Sequence, residues 1–310
     1  MNFSKDFEDR IANSQKVLLV GAGGDFDILS CLPLYYKLAA EGKELTMVNF
    51  SNLQLEELAE VTEAQVLLKD RLFMVGSNMK VALEHYPSGM ASRWFEETYQ
   101  EQVPFYLIMK QSVASMTECY EKIIEKTGAD TILFCGFGMR TLMKGDEEGC
   151  GDMLHSTMNL SAAKYVEGVE KLLVTFGIEK GVSFNSAMEN ISTLTQYKGY
   201  LGVSHFSQND AEFHYMKHCY DFIAGQGFHE RSLLIESIML GIVGKIGMNN
   251  GYRVTPLMSH VHYFDLQSVA MANKVAPMIE HIQEYQEIVQ QGMSVIKGGN
   301  KARKFDLIQL

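Results

Sequence analysis

Proline is scarce in this chain, with 5 among 310 residues, and no Ser/Pro-rich linker or internal repeat divides it. That predicts a single domain over 1–310, with a helical C-terminal region at about 205–292. Cysteine is scarce as well. Cys31, Cys119, Cys135, Cys150 and Cys219 form no C-x-x-C pair. An odd number without framework spacing predicts reduced thiols in a cytoplasmic setting. Positive charge is in short supply: 27 Lys and Arg stand against 38 Asp and Glu, a net charge of -11. The balance argues against nucleic acid and against an anionic membrane as partners. Long apolar runs are missing too. The longest, 233–246, contains Glu236, Ser237 and Lys245 and is too short to span a bilayer. The N-terminal MNFSKDFEDRIANSQK is charged and lacks the apolar region of a signal peptide. No G-x-x-x-x-G-K-[ST] phosphate loop and no H-E-x-x-H metal motif is present.

What is present centres on 16–36, KVLLVGAGGDFDILSCLPLYY. A short apolar run at 17–20 stops at Gly21, Gly23 and Gly24, and Asp25 and Asp27 follow before an apolar segment of helical character. Open α/β sheets hold ligands at such strand–turn–helix junctions. Glycine lets the backbone approach a ligand, and the helix start offers free N–H groups. The G-x-G-x-x-G fingerprint is nevertheless broken, because Phe26 stands where the third glycine belongs. The second strand, 45–48, runs into Asn49, Phe50, Ser51 and Asn52, with no acid for a ribose. A carboxylate at Asp25 would repel a bare phosphate. It therefore either meets a ribose, amine or metal-bridged ligand, or caps the following helix.

Phe3, Phe7 and Ile11 recur at helical spacing behind Ser4, which predicts a short amphipathic helix capped by Ser4. Strands are expected at 17–20, 45–48, 71–75, 105–109, 131–135, 172–176, 200–204 and 252–257. Helices are expected from Ser30 to near Gly42 and at 53–61, 92–101, 115–126, 160–171, 186–197, 210–224 and 230–244. Asp265 is read as the cap of a long helical region reaching about 291 and broken near Pro277. This alternation predicts an α/β, Rossmann-like fold with a mainly parallel sheet flanked by helices on both faces. The runs at 17–20, 45–48 and 131–135 are expected as parallel neighbours.

Four stretches resemble the DUF1152 family, a domain family of undefined function: VGAGGDFDILSCLPLYYKLAAEG near the start, LMKGDEEGCG at 142–151, GYLGVS at 199–204 and YRVTPLMSHVHYFDL at 252–266. The resemblance covers most of the chain and implies a Rossmann-like fold without an established activity. The chain also departs from the family pattern. Where the family tends to show V-D-G-G-x-D after the fifth strand, this sequence reads Cys135, Gly136, Phe137, Gly138, Met139, Arg140, so both acids are gone. A later G-T-P-x-E-D-like run is here Gly151, Asp152, Met153, Leu154, His155, Ser156, and the acids left nearby are Asp146, Glu147 and Glu148. If those acids act on a ligand in relatives, this chain has changed its ligand or lost the chemistry.

All strand C-terminal ends of a parallel sheet share one rim, which should bring the loop at 135–147 beside the glycine turn. The expected ligand-binding set is Gly21, Gly23, Gly24, Asp25, Asp27, Gly136, Gly138, Arg140, Asp146, Glu147 and Arg253. Arg140 suits a carboxylate or phosphate, and Asp146 and Glu147 suit hydroxyls, amines or a cation; ordinary surface ion pairs are the alternative. Arg253 either reaches the same pocket or forms a structural salt bridge. Cys135 is a nucleophile without a base near in sequence, or a small buried hydrophobe. His214 and His218 lie four apart, as zinc ligands can, but Tyr215 and Met216 stand between them and no metal site is predicted. His260 and His262 share a strand face if Val261 is extended, among aromatics that point to packing. Met239, Met248 and Met258 read as core filler or interface. Aromatic and Met content at 205–220 and 258–264 predicts a homo-oligomer. The leading functional reading is an enzyme acting on a small polar metabolite, nucleotide-like or phosphorylated, at the strand C-terminal rim. The alternatives are an NAD(P)-dependent oxidoreductase and a non-catalytic ligand-binding or scaffold protein. The sequence specifies no cofactor.

Overall fold

The apolar run after Lys16 builds the middle of the molecule. In the computed structural model, which describes residues 1–51, 53, 55–59, 64–77, 86–147, 153–178, 184–225, 229–246 and 252–299, it forms strand β1 (Lys16–Gly21). Val17 and Leu19 point into one hydrophobic cluster, and Leu18 and Val20 into another. Burial on both faces explains why the run shows no alternation of polar and apolar residues.

The main sheet has nine strands. From one edge the order is β3 (Gln65–Leu68), β4 (Leu72–Val75), β5 (Phe105–Ile108), β2 (Glu44–Phe50), β1, β6 (Thr131–Phe137), β7 (Glu170–Phe176), β11 (His260–Asp265) and β8 (Tyr200–His205). The central five, β5 to β7, are parallel; Val20 stands opposite Val48 on one side and Phe134 on the other. The expected parallel neighbours are therefore present. Antiparallel pairs extend the sheet at both edges. A separate antiparallel pair joins β9 (Gly244–Ile246) to β10 (Tyr252–Val254).

One face of the sheet is covered by α1 (Lys5–Ile11), α2 (Leu32–Ala40), α3 (Leu55–Ala59), α4 (Pro87–Tyr99), α8 (Ala211–Ile223) and α9 (His229–Met239). The other is covered by α5 (Val113–Thr127), α6 (Leu154–Lys164), α7 (Phe184–Gln196), α10 (Leu266–Ala272), α11 (Ala276–Ile279) and α12 (Tyr285–Gly299). The chain is thus an α/β protein with a large, mostly parallel central sheet, consistent with a Rossmann-like arrangement.

Several expectations need correction. The helix expected at 160–171 is α6, six residues earlier at its start. Gly168 then turns the chain with φ +76, and strand β7 begins at Glu170. The helix expected to reach 244 ends at Met239, followed by Gly241 at φ +67. The hairpin partner β3 was not expected, and β11 was foreseen only as the strand face that His260 and His262 would share. The long C-terminal helix is three helices, and the break is made by Asn273, whose side-chain oxygen accepts the N–H groups of Val275 (2.9 Å) and Ala276 (2.8 Å). Pro277 merely occupies the first turn of α11, where its missing N–H costs nothing. The Ser4 hydroxyl does not cap α1; it donates to the carbonyl oxygen of Leu201 at 2.6 Å. Asn52, His85, Glu148, Cys150, Gly151, Asp152, Met248 and the tail 300–310 lie outside the described residues, as does the Asp25 side chain.

Candidate functional site

β1 feeds a crossover to β2 on one side, and β6 feeds a crossover to β7 on the other. The loops leaving β1 and β6 therefore diverge, and open α/β sheets bind ligands in the crevice at such a switch point. The two loops are stitched at their base, where the Ala22 N–H donates to the Cys135 carbonyl oxygen at 2.9 Å.

The glycines of the β1 turn have separate reasons. A Cβ at Gly21 would lie 2.7 Å from Asn49 Oδ1 and 2.8 Å from the Ile28 nitrogen. One at Gly23 would lie 1.8 Å from Ser156 Oγ, because the first turn of α6 packs directly against this residue. Both glycines answer to the protein's own packing. Gly24 differs: its φ of −107 and ψ of 152 are extended, and the nearest atom to a Cβ there would be Arg140 Nη1 at 3.5 Å. A side chain at Gly24 would therefore meet no backbone strain. Its N–H donates to Asp27 Oδ2 at 3.1 Å, and the Asp27 N–H returns a bond to the Gly24 carbonyl oxygen at 2.8 Å. Asp27 thus closes the turn on itself and opens a 3-10 segment, Asp25–Cys31.

Behind the turn stands a buried polar relay. Asn159 on α6 donates to the carbonyl oxygens of Gly21 (3.0 Å) and Ala22 (3.4 Å), and its own oxygen is hydrogen-bonded to the Tyr120 hydroxyl. Burial raises the Tyr120 hydroxyl well above its ordinary pKa, so it stays a protonated donor.

The β6 loop supplies the other wall. Gly136 allows Thr141 close, with Thr141 Cγ2 at 3.0 Å and Ala22 Cβ at 3.5 Å from where a Cβ would be. Gly138 takes φ +94, donates its N–H to the Phe176 carbonyl oxygen at 2.8 Å, and accepts from Thr175 Oγ1 at 3.0 Å. Only then does the chain turn into the 3-10 segment Met139–Leu142 that carries Arg140 to the surface. Among the described residues Arg140 forms no ion pair, and the buried Thr141 Oγ1 has no hydrogen-bond partner.

The remaining expected residues divide. Glu147 is buried and serves its own loop, accepting the N–H groups of Lys144 (2.7 Å) and Gly145 (2.8 Å) and the Asn190 amide (2.6 Å). Asp146 pairs with Lys274 at the surface, and the hydrogen bond from Lys274 lowers its carboxyl pKa. Arg253 sits on β10 opposite Lys245, in the small sheet that packs against α9 and not on the switch-point loops. Cys135 is buried in the hydrophobic core, which suits packing rather than nucleophilic attack. His218 Nδ1 accepts from Trp94 Nε1 at 3.3 Å, and His214 is bonded to the Gln208 carbonyl oxygen. No group of three His, Cys, Asp or Glu among the described residues is placed to hold a metal.

His155 was missed as a site residue. It is the second residue of α6, one position before the serine that touches Gly23, and its Nε2 shares a hydrogen bond of 2.9 Å with the Tyr285 hydroxyl. Its ring packs 5.3 Å from that of Phe50, the last residue of β2.

Fold and geometry together define an α/β protein with a large, mostly parallel central sheet. More particularly, the chain belongs to the DUF1152 family, described as a protein of unknown function, which matches residues 54–296. The glycine turn precedes that span. No curated protein matches the sequence. Among the described residues no helix is long and apolar enough to cross a membrane.

Proposed function

We propose that this chain binds a small polar metabolite bearing a carboxylate or phosphate in the crevice between the loops after β1 and β6. We further propose that it is an enzyme, with His155 as the group that transfers a proton. The observation that carries the reading is Arg140, a guanidinium without an ion pair among the described residues, held against Gly24 across the switch point. A guanidinium binds planar oxyanions through two parallel hydrogen bonds. The resemblance implies an acid at this position in relatives, so the arginine turns the preference from cations toward anions. Thr141 adds a buried hydroxyl with no partner among the described residues. On the far side of the turn, the His155–Tyr285 pair supplies an imidazole hydrogen-bonded to a hydroxyl, a group of the kind used in general acid–base catalysis.

An NAD(P)-dependent role is less well supported. Ser156 occupies the space a pyrophosphate would need beside Gly23, and Asp27 takes the Gly24 N–H. A cytoplasmic setting fits the buried free thiols of Cys31, Cys119, Cys135 and Cys219.

The test is a thermal-shift screen of the whole chain against sugar phosphates, nucleotides, amino acids, other carboxylates and divalent ions. A ligand at a hundred times its dissociation constant adds about 2.7 kcal/mol of stability. Calorimetry with the best ligand should show Arg140→Ala weakening binding by about 1.5–3 kcal/mol, the worth of a hydrogen bond to a charged group. Equal affinity in Arg140→Ala would remove the binding reading. Turnover unchanged in His155→Gln would remove the catalytic one.

A further inference from the structure

The sequence from Ser237 to Phe264 contains no Asp or Glu, although the whole chain carries 38 of them and a net charge of -11. This acid-free stretch includes the end of α9 and the β9–β10 pair, and its surface is unusual in two independent ways. Leu240, Ile242 and Val243 are 52%, 46% and 62% exposed, three large apolar side chains within four positions. Single exposed hydrophobics are ordinary on a protein surface, whereas contiguous ones mark contact sites. Local hydrogen bonds hold them there. The Gly241 N–H donates to the Ile238 carbonyl oxygen at 3.1 Å and the Ile242 N–H to that of Ser237 at 2.9 Å, with Gly241 at φ +67. This paired closure fixes the direction in which the chain leaves α9. Next to them, Lys245 on β9 stands directly opposite Arg253 on β10, and both are exposed. Residues so placed have Cβ atoms about 5 Å apart, and like charges there destabilise the pairing. Among the described residues neither cation has an ion-pair partner. The acid that precedes the stretch, Glu236, is engaged by Lys217 at 3.8 Å.

We propose that this surface is a contact site for an anionic phospholipid membrane. Lys245 and Arg253 take a lipid phosphate, while Leu240, Ile242 and Val243 enter the boundary between headgroups and acyl chains. Two neighbouring cations without an acid suit a phosphate, which neutralises both through charge-assisted hydrogen bonds. A free phosphate would leave the three aliphatic side chains in water. A bilayer serves both halves of the surface, because its anionic headgroups lie directly over an apolar interior. The net charge of the whole chain does not decide such a contact. At physiological ionic strength charges are screened over about 8 Å, so acids elsewhere on the body act weakly on a bilayer that meets this surface alone. The expectation of no membrane partner, drawn from net charge, therefore does not extend to this patch. A second copy of the chain is a poorer occupant. A two-fold contact through the patch would bring four cations together. In addition, Phe206, Phe213, Met258, Tyr263 and Phe264, from the segments that suggested a homo-oligomer, are buried in the protein's own core. The contact is peripheral and reversible, since two cations and three aliphatic side chains fall well short of an anchor.

The test is flotation of the full chain with phosphatidylcholine vesicles, with and without phosphatidylglycerol, over a range of salt. We expect binding only where phosphatidylglycerol is present, and weaker binding as salt rises. Lys245→Gln/Arg253→Gln should weaken it about tenfold or more. Because the two charges repel each other, the same variant should unfold at the same or a higher urea concentration, which separates a lost contact from a damaged fold. Val243→Ser should weaken binding with both cations in place. Val243→Trp should strengthen it. The chain's one tryptophan, Trp94, is buried, so the added indole should report entry into the bilayer by a blue shift of its emission. Four results would overturn the proposal. The first is no binding to phosphatidylglycerol vesicles, or equal binding to phosphatidylcholine alone. The second is binding indifferent to the Lys245/Arg253 variant or to Val243→Ser. The third is inorganic phosphate stabilising the wild type more than the double variant in a thermal shift, which would assign the pair to a soluble phosphate. The last is a change of mass in sedimentation with these variants in place of a change in vesicle binding, which would make the patch a contact between copies.

Discussion

Asn159 donates to the Gly21 carbonyl oxygen at 3.0 Å from a position 138 residues further along the chain. The amide fixes the glycine turn from behind, and the turn fixes where Gly24 meets Arg140. Removing it leaves the Tyr120 hydroxyl and the Gly21 carbonyl buried without that partner. Asn159→Ala should therefore cost about 1–3 kcal/mol in urea unfolding, the penalty for unpaired buried polar groups. Tyr120→Phe should cost less, about 1 kcal/mol, because it strands one acceptor, the Asn159 oxygen, where Asn159→Ala strands both partners. Non-additivity of the two in a double-mutant cycle is expected, since they act through one network.

Neighbouring glycines should respond oppositely. A Cβ at Gly23 meets Ser156 Oγ at 1.8 Å, so Gly23→Ala forces α6 or the turn to shift. Overpacking of this kind costs about 1–3 kcal/mol. Gly24→Ala meets only Arg140 at 3.5 Å in an extended backbone and should change stability by less than about 0.5 kcal/mol. Combining Gly23→Ala with Ser156→Gly should recover part of the loss despite the cost of glycine in a helix. Equal destabilisation by Gly23→Ala and Gly24→Ala would contradict the account of the turn.

The centre of the sheet was legible because β1, β2 and β6 are continuous apolar runs, and only burial on both faces makes such runs soluble. The glycine turn and the placement of Arg140 on the same rim followed from parallel-sheet geometry alone. β11 was less legible because its extended form depends on β7 and β8, and His260 and His262 interrupt its apolar pattern. His155 was hidden for a similar reason: its hydrogen-bond partner, Tyr285, lies 130 residues away. Glu147 read as a ligand group because its acceptors are filled by local amides and by Asn190, a contact that sequence spacing cannot reveal.

The two acids after β6 can be separated by stability. Glu147 is buried with three donors on its carboxylate, and Glu147→Ala should cost on the order of 2–3 kcal/mol and loosen the 142–147 loop. Asp146 makes an exposed pair with Lys274, and Asp146→Ala should cost no more than about 1 kcal/mol. Chemical denaturation of both variants checks this. Comparable losses would mean that Asp146 does more than its surface pairing implies.

His262 should make stability depend on pH in mildly acid solution. Its imidazole is buried on β11, with Nδ1 at 3.2 Å from the Tyr200 hydroxyl and its ring stacked on Phe264. Burial first, and then the nearby His260, lower its pKa from 6.5 to about 4. The unfolded chain then takes up a proton at higher pH than the folded one. The stability from keeping this ring neutral is fully present above about pH 6.5, falls as the pH drops toward 4, and has gone below that. Its size is on the order of 3 kcal/mol, from the free energy that accompanies each unit of pKa difference. His262→Phe keeps an aromatic ring without the titrating group. It should flatten the stability profile between about pH 6.5 and pH 4, apart from contributions of other histidines, while leaving the Tyr200 hydroxyl short of a partner at every pH. Unfolding free energies measured at half-unit intervals in both proteins decide the matter. An equally steep decline in His262→Phe would assign the acid sensitivity to another group.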